Sequence, residues 1–239
     1  MQAIRERTPA RILGGRAGSS YRTRPQLELR EAHAAAADAV HDELDLASNL
    51  GAAFCQQWKL FEVTTLATSK AEFLLRPDLG RRLSAQAGEE IKAQCQPNVD
   101  VQIVVGDGLS VAAVAAQVPQ ILPILWDGAT RRGWHVGQPF VIRHCRVGVL
   151  NDIGELLSPE VTVLLIGERP GLATAESLSA YMAFRANREQ SDADRNLISN
   201  IHARGTPPQQ AATRILDLIS AMMSRQISGT KLSIPSLKP

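Results

Sequence analysis

Two glycine-punctuated turns hold the residue types best suited to chemistry. Val161–Ile166 is an apolar, β-branched run that ends abruptly in Gly167-Glu168-Arg169-Pro170-Gly171. Val101–Val105 is a second such run, ending in Gly106-Asp107-Gly108 with Ser110 just beyond. In an open parallel sheet, ligands bind outside the carboxyl ends of the strands, so both turns fall on the expected ligand edge. Glycines there let the backbone approach a ligand closely, Pro170 stiffens the turn, and Glu168 presents an acceptor to amide or hydroxyl donors. Gly106–Val111 carries only the front of a GxGxxG phosphate loop, with Val111 where the third glycine belongs, and no GxxxxGK[ST] motif occurs. His33 and His41 stand eight residues apart. Zinc ligands on a helix more often stand three or four apart, so both read as surface or interface residues. His144 and Cys145 are read as strand neighbours pointing to opposite faces, which rules out a nucleophile–base pair and leaves Cys145 as buried filler. No Ser-His-Asp or Cys-His constellation can be assembled, so the chain by itself is expected to be inactive.

These turns need elements to hold them. Residues 1–24 form a basic arm with Arg5, Arg7, Arg11, Arg16, Arg22 and Arg24 against the single acid Glu6. It reads as a solvated tail, or as an arm lying on an acidic partner surface. Residues 25–96 read as a small helical domain without strands. Its helices are expected over Gln26–Asp45, Asn49–Lys59, Ser69–Leu75 and Gly80–Ala93, from strong helix formers and from the spacing of Leu79, Leu83 and Ala87. Residues 97–239 alternate apolar strands with helices, which implies parallel pairing through βαβ units. A helix is expected from Val111 to Gln117 with Ser110 as N-cap, β-branched stretches lie within Pro139–Leu150, and Asn151–Leu157 reads as a turn and helix start. A further helix is expected in the Ala/Ser/Leu stretch that follows Gly171, and a last one over Gln209–Arg225. The fold class is therefore α/β: a helical N-terminal unit followed by a Rossmann-like open, mainly parallel sheet with flanking helices.

The totals narrow the function. A chain of 239 residues with 44% hydrophobic content is long enough for a real core. A net charge of +2 gives no reason to expect nucleic acid. No apolar run is long enough to cross a membrane, and the first residues lack the apolar core of a secretory signal. Three widely spaced cysteines without a CxxC argue against a disulfide framework and for a reducing cytoplasm.

Longer segments carry a family resemblance. The similarity is dense from Arg143 to His202, in RVGVLNDIGELL, VTVLLIGERPGLATAESLSAY and the start of DADRNLISNIHARGTPP, while GRAGSSYRTRP, LLRPDLGRRL and GDGLSVAAV extend it over most of the chain. Together they resemble the small (light, beta) subunit of ethanolamine ammonia-lyase. The resemblance implies adenosylcobalamin held between this chain and a large barrel subunit, in a hetero-oligomer with ethanolamine as substrate. It implies that cobalt–carbon homolysis yields a radical that abstracts hydrogen from ethanolamine, after which the amino group migrates and acetaldehyde and ammonia leave. The hard chemistry would belong to the cofactor. Three cofactor contacts carry over: Val147, Glu168 and Leu197, the last standing where the familiar pattern has cysteine. The cytoplasm is the expected residence, and the basic arm offers a means of addressing the complex to a bacterial microcompartment. Asn200–Gly205 lies one residue from the Asp-x-His-x-x-Gly pattern of proteins whose histidine binds cobalt. Asn200 replaces the aspartate, and the family cofactor keeps its own base on cobalt, so His202 is not assigned as a ligand. Two other readings remain open at this point: a non-catalytic assembly or targeting subunit, and a nucleotide-binding α/β enzyme.

Overall fold

The computed structural model describes residues 15–232. Most of the basic arm, residues 1–14, lies outside the described residues. Within the rest of the arm, β1 (Arg16–Ala17) and β2 (Ser20–Tyr21) form an exposed two-stranded hairpin, and its last two residues already belong to the first helix. Then follow α1 (Thr23–His41), α2 (Leu46–Leu50) and α3 (Ala52–Gln57). Gly51, at φ 86°, separates α2 from α3 where a single helix was expected. Next come β3 (Glu62–Thr64), α4 (Lys70–Leu75), α5 (Ala85–Gln94), β4 (Val101–Gly106) and α6 (Val111–Arg131). The chain finishes with β5 (Phe140–Arg143), α7 (Val149–Leu157), β6 (Val161–Gly167), β7 (Leu178–Phe184), β8 (Asn196–Ile201) and α8 (Pro208–Arg225). Ser69, Ser84 and Ser110 each cap a helix by accepting the backbone N–H three residues on.

Six strands form one mixed sheet in the order β3-β5-β4-β6-β7-β8. The first four are mutually parallel, while β7 runs antiparallel to both its neighbours. The expected α/β class, with flanking helices and a mostly parallel sheet, is what the chain adopts. Successive residues of β4 serve opposite faces. Val101, Ile103 and Val105 join α6 and α8 in one core. Val104 joins α5 and α7 in the other.

Two expectations need correcting. Glu62–Thr64 is a strand, not part of an all-helical segment; it forms one edge of the sheet beside β5. Three residues give too short a pattern to stand out in sequence, and pairing with β5 decides their state. The Ala/Ser/Leu stretch after Gly171 is not a helix either: Leu178–Phe184 is a strand. Leu178, Ala180 and Met182 face the α6/α8 core at every second position, whereas Tyr181 packs on the opposite face. That alternation, satisfied against β6 and β8, overrides the helix propensity of Ala, Leu and Met.

Helix α6 runs far beyond Gln117, through Pro119 and Pro123. Each proline costs a helix interior about 3 kcal/mol. Val114, Val118, Ile121, Leu122 and Leu125 are all fully buried along it. Such burial contributes roughly 1.5–3 kcal/mol per side chain, so packing outweighs the two breaks.

The turns after β4 and β6 come together so tightly that side chains are excluded. A Cβ on Gly167 would sit 2.1 Å from the carbonyl oxygen of Ser110, and Gly108 holds φ at 57° against the backbone of Gly167. Gly167→Ala should therefore lower stability by about 1–3 kcal/mol or somewhat more. The check is the urea midpoint, read at unchanged m-value; a midpoint equal to that of the parent would contradict the contact.

Candidate functional site

Helix α6 leaves β4 toward one face of the sheet and α7 leaves the neighbouring β5 toward the other. Between the carboxyl ends of such strands a crevice must open. The cleft at that edge holds about 370 Å³. Val147, Glu168 and Leu197 all line it, together with Arg146, Arg169 and Tyr181. The three expected positions come from three separate elements: the turn before α7, the turn after β6, and strand β8. Val147 and Glu168 are half-buried, while Leu197 is 46% exposed. Tyr181 and Leu197 are register partners across β7 and β8.

Asp107 fixes one side of the cleft. It is 1% exposed, and its carboxylate accepts the backbone N–H groups of His144 and Cys145 at 2.9 and 2.8 Å. His144 sits at φ 55°, so β5 has already ended in a left-handed turn that carries Arg146 and Val147 over the cleft. His144 and Cys145 are thus turn residues, not strand neighbours as the sequence suggested. Lys70 lies 3.8 Å from Asp107, and both side chains are buried. Burial pushes the Asp107 carboxyl above its ordinary range and the Lys70 ammonium below its own, while each charge opposes the shift of the other. Lys70 is invisible to motif reading because only the fold brings α4 beneath the β4 turn.

Glu168 closes the other side. Its Oε2 accepts the Ser177 hydroxyl at 2.6 Å, and its Oε1 accepts the Ser179 hydroxyl at 2.6 Å and the Asn200 N–H at 2.8 Å. The carboxylate therefore ties the end of β6 to β7 and β8. A carboxylate offers about four lone-pair sites, so one acceptor site remains for a donor in the cleft. The loop beyond is anchored as well: Ser110 Oγ donates to the Ala175 carbonyl and Gln117 Nε2 to that of Glu176.

Other candidates fall outside this site. His33 and His41 are exposed on α1. His202 lines a different hollow of about 290 Å³. Its Nδ1 accepts the Arg204 N–H at 3.3 Å, so its Nε2–H donates to Asn200 Oδ1 at 2.8 Å, and both ring nitrogens are engaged. Among the described residues, no group of three or more His, Cys, Asp or Glu is placed to hold a metal ion, and no helix is long and apolar enough to cross a membrane. All three cysteines are free thiols. Cys145 lines the cleft but is fully buried, and burial pushes its thiol well up.

Comparison with known proteins gives a consistent picture. The model of the ethanolamine ammonia-lyase light chain (EutC) family matches residues 1–233. The chain is similar to the ethanolamine ammonia-lyase small subunit of Clostridium perfringens, at 42% identity over 96% of this chain and 76% of the relative. It is similar to that of Fusobacterium nucleatum at 41% identity, over 96% of this chain and 76% of the relative. It is similar to that of Clostridium acetobutylicum at 39% identity, over 98% of this chain and 94% of the relative.

Glu168→Ala would leave two hydroxyls and one backbone N–H without their acceptor. It should cost about 1–3 kcal/mol in chemical denaturation, and Glu168→Gln should cost less; equal stability of all three proteins would refute the tie. Alkaline pH gives an independent check. Burial pushes the Cys95 thiol up to about 12 from an ordinary 9.0. Between those values the unfolded chain loses the proton that the folded chain keeps, so stability falls as pH rises above 9.0. The melting temperature of Cys95→Ala should fall less steeply over that window than that of the parent.

Proposed function

The chain belongs to the ethanolamine ammonia-lyase light-chain family, and from that premise we propose that it is the cofactor-holding small subunit of an adenosylcobalamin-dependent lyase. Its substrate would be ethanolamine and its products acetaldehyde and ammonia. The observation that carries this reading is the convergence of Val147, Glu168 and Leu197 on one cleft at the carboxyl edge of the sheet.

The residues present fit a corrin edge. The rim of a corrin carries amides, and Glu168 has an acceptor site left for one of their N–H groups. Val147 and Leu197 offer apolar contact to the ring. Among the described residues, the buried Arg146 Nε has no hydrogen-bond partner, and it is a donor suited to an oxygen. When bound, the cofactor would supply a radical through homolysis of its cobalt–carbon bond. The contribution of this chain is to bind, orient and shield. It gives the cofactor's amides an acceptor in Glu168 and excludes water with Val147 and Leu197. A cleft of about 370 Å³ takes only part of so large a ligand. A second surface must cover the rest, which supports a hetero-oligomer with a large subunit that binds ethanolamine. On this reading the chain alone is inactive, and the complex works in the cytoplasm or within a bacterial microcompartment.

The test is ethanolamine turnover by this chain co-expressed with its large subunit. Acetaldehyde should form only with both chains and adenosylcobalamin present. Leu197 is exposed on β8, so Leu197→Asp should fold normally. Its charge, set against the apolar ring, should weaken cobalamin binding by about tenfold or more. Unchanged affinity in that variant would remove Leu197 from the site.

A further inference from the structure

The charges of the cleft do not balance where they stand. Arg146 and Arg169 both line it. Among the described residues, neither has a carboxylate within 4.0 Å. Glu168, which lines the same cleft, has turned its oxygens to Ser177, Ser179 and Asn200. Asp107, the acid whose charge reaches Arg146, spends its oxygens on His144 and Cys145 and faces Lys70.

The Arg146 guanidinium lies over the Phe73 ring at 4.3 Å, and its buried Nε has no partner among the described residues. Stacking on Phe73 holds the planar fork in one orientation. Burial and the nearby Arg169 charge both pull Arg146 below the ordinary guanidinium range. Two cations placed near one another, one half-buried and helped only by the more distant Asp107, are unfavourable until an anion arrives between them. Arginine forks match phosphate oxygens in bidentate geometry.

We propose that Arg146 and Arg169 form a binding site for a phosphodiester, that of the nucleotide loop of a complete cobalamin, an inference that rests on the cofactor reading above. The cleft then reads two features of one ligand. Glu168 accepts an amide N–H from the corrin rim, while the arginines hold the negative charge on the nucleotide arm. Together they select a complete cobalamin over a corrinoid that lacks the arm.

The experiment is an absorbance titration of the assembled complex with cyanocobalamin and, separately, with dicyanocobinamide, which has the amides but no phosphodiester. Arg169→Gln removes an exposed charge, and Arg146→Lys keeps the charge and the stem but loses the fork. Each should weaken cyanocobalamin by about tenfold, the scale of one charge-assisted hydrogen bond, and leave cobinamide unchanged. Inorganic phosphate should compete with cyanocobalamin in the parent complex and not in Arg169→Gln. Equal weakening of both ligands, or no weakening, overturns the assignment while leaving the cofactor reading intact. Looser association of the subunits in Arg169→Gln, at an unchanged ratio of the two affinities, gives the arginine to a carboxylate of the large subunit and overturns it too. A parent complex that binds neither corrinoid refutes the cofactor reading itself, and this inference with it.

Discussion

A single buried carboxylate holds the site together. Asp107 sits at the end of β4, yet its hydrogen-bond partners are the N–H groups of the turn after β5. A buried charge is costly unless it is paired and hydrogen-bonded. Asp107 meets that condition only when the His144–Cys145 backbone adopts its left-handed turn and Lys70 comes up from α4. The geometry of Arg146 and Val147 follows, because they are the next residues along. The glycines on either side make the same demand sterically, since no Cβ fits between the β4 and β6 turns.

The second constraint is the reversal after β6. Three parallel strands deliver their turns to one edge, but β7 returns antiparallel and β8 follows it. The face of β7 and β8 that carries Ser179, Tyr181, Leu197 and Ser199 therefore borders the cleft. Glu168 is the clasp at this reversal, with oxygens on two strands at once. One side chain thus has a structural duty and a position in the cleft wall. A stability readout beside any binding readout separates the two.

The cleft is open to one side, and Leu197 in its lining is 46% exposed. The proposed function rests on this openness, because a ligand shared with another chain needs such a surface and an enclosed small substrate does not.

Much of this was legible in the sequence, for physical reasons that are local. Continuous β-branched runs such as Val161–Ile166 can bury both faces, so the central parallel strands were expected where they occur. Ser110 was recognisable as a cap because capping depends on its immediate neighbours. The segments around Val147, Glu168 and Leu197 carried the family resemblance. Tertiary structure alone decided the rest. Leu178–Phe184 has the composition of a helix and becomes a strand because β6 and β8 pair with it on either side. Glu62–Thr64 becomes a strand because β5 offers it an edge. The partnership of Lys70 with Asp107, and of Arg146 with Phe73, joins residues dozens of positions apart. No local pattern encodes such pairs, because their energy arises only when packing has removed the water between them.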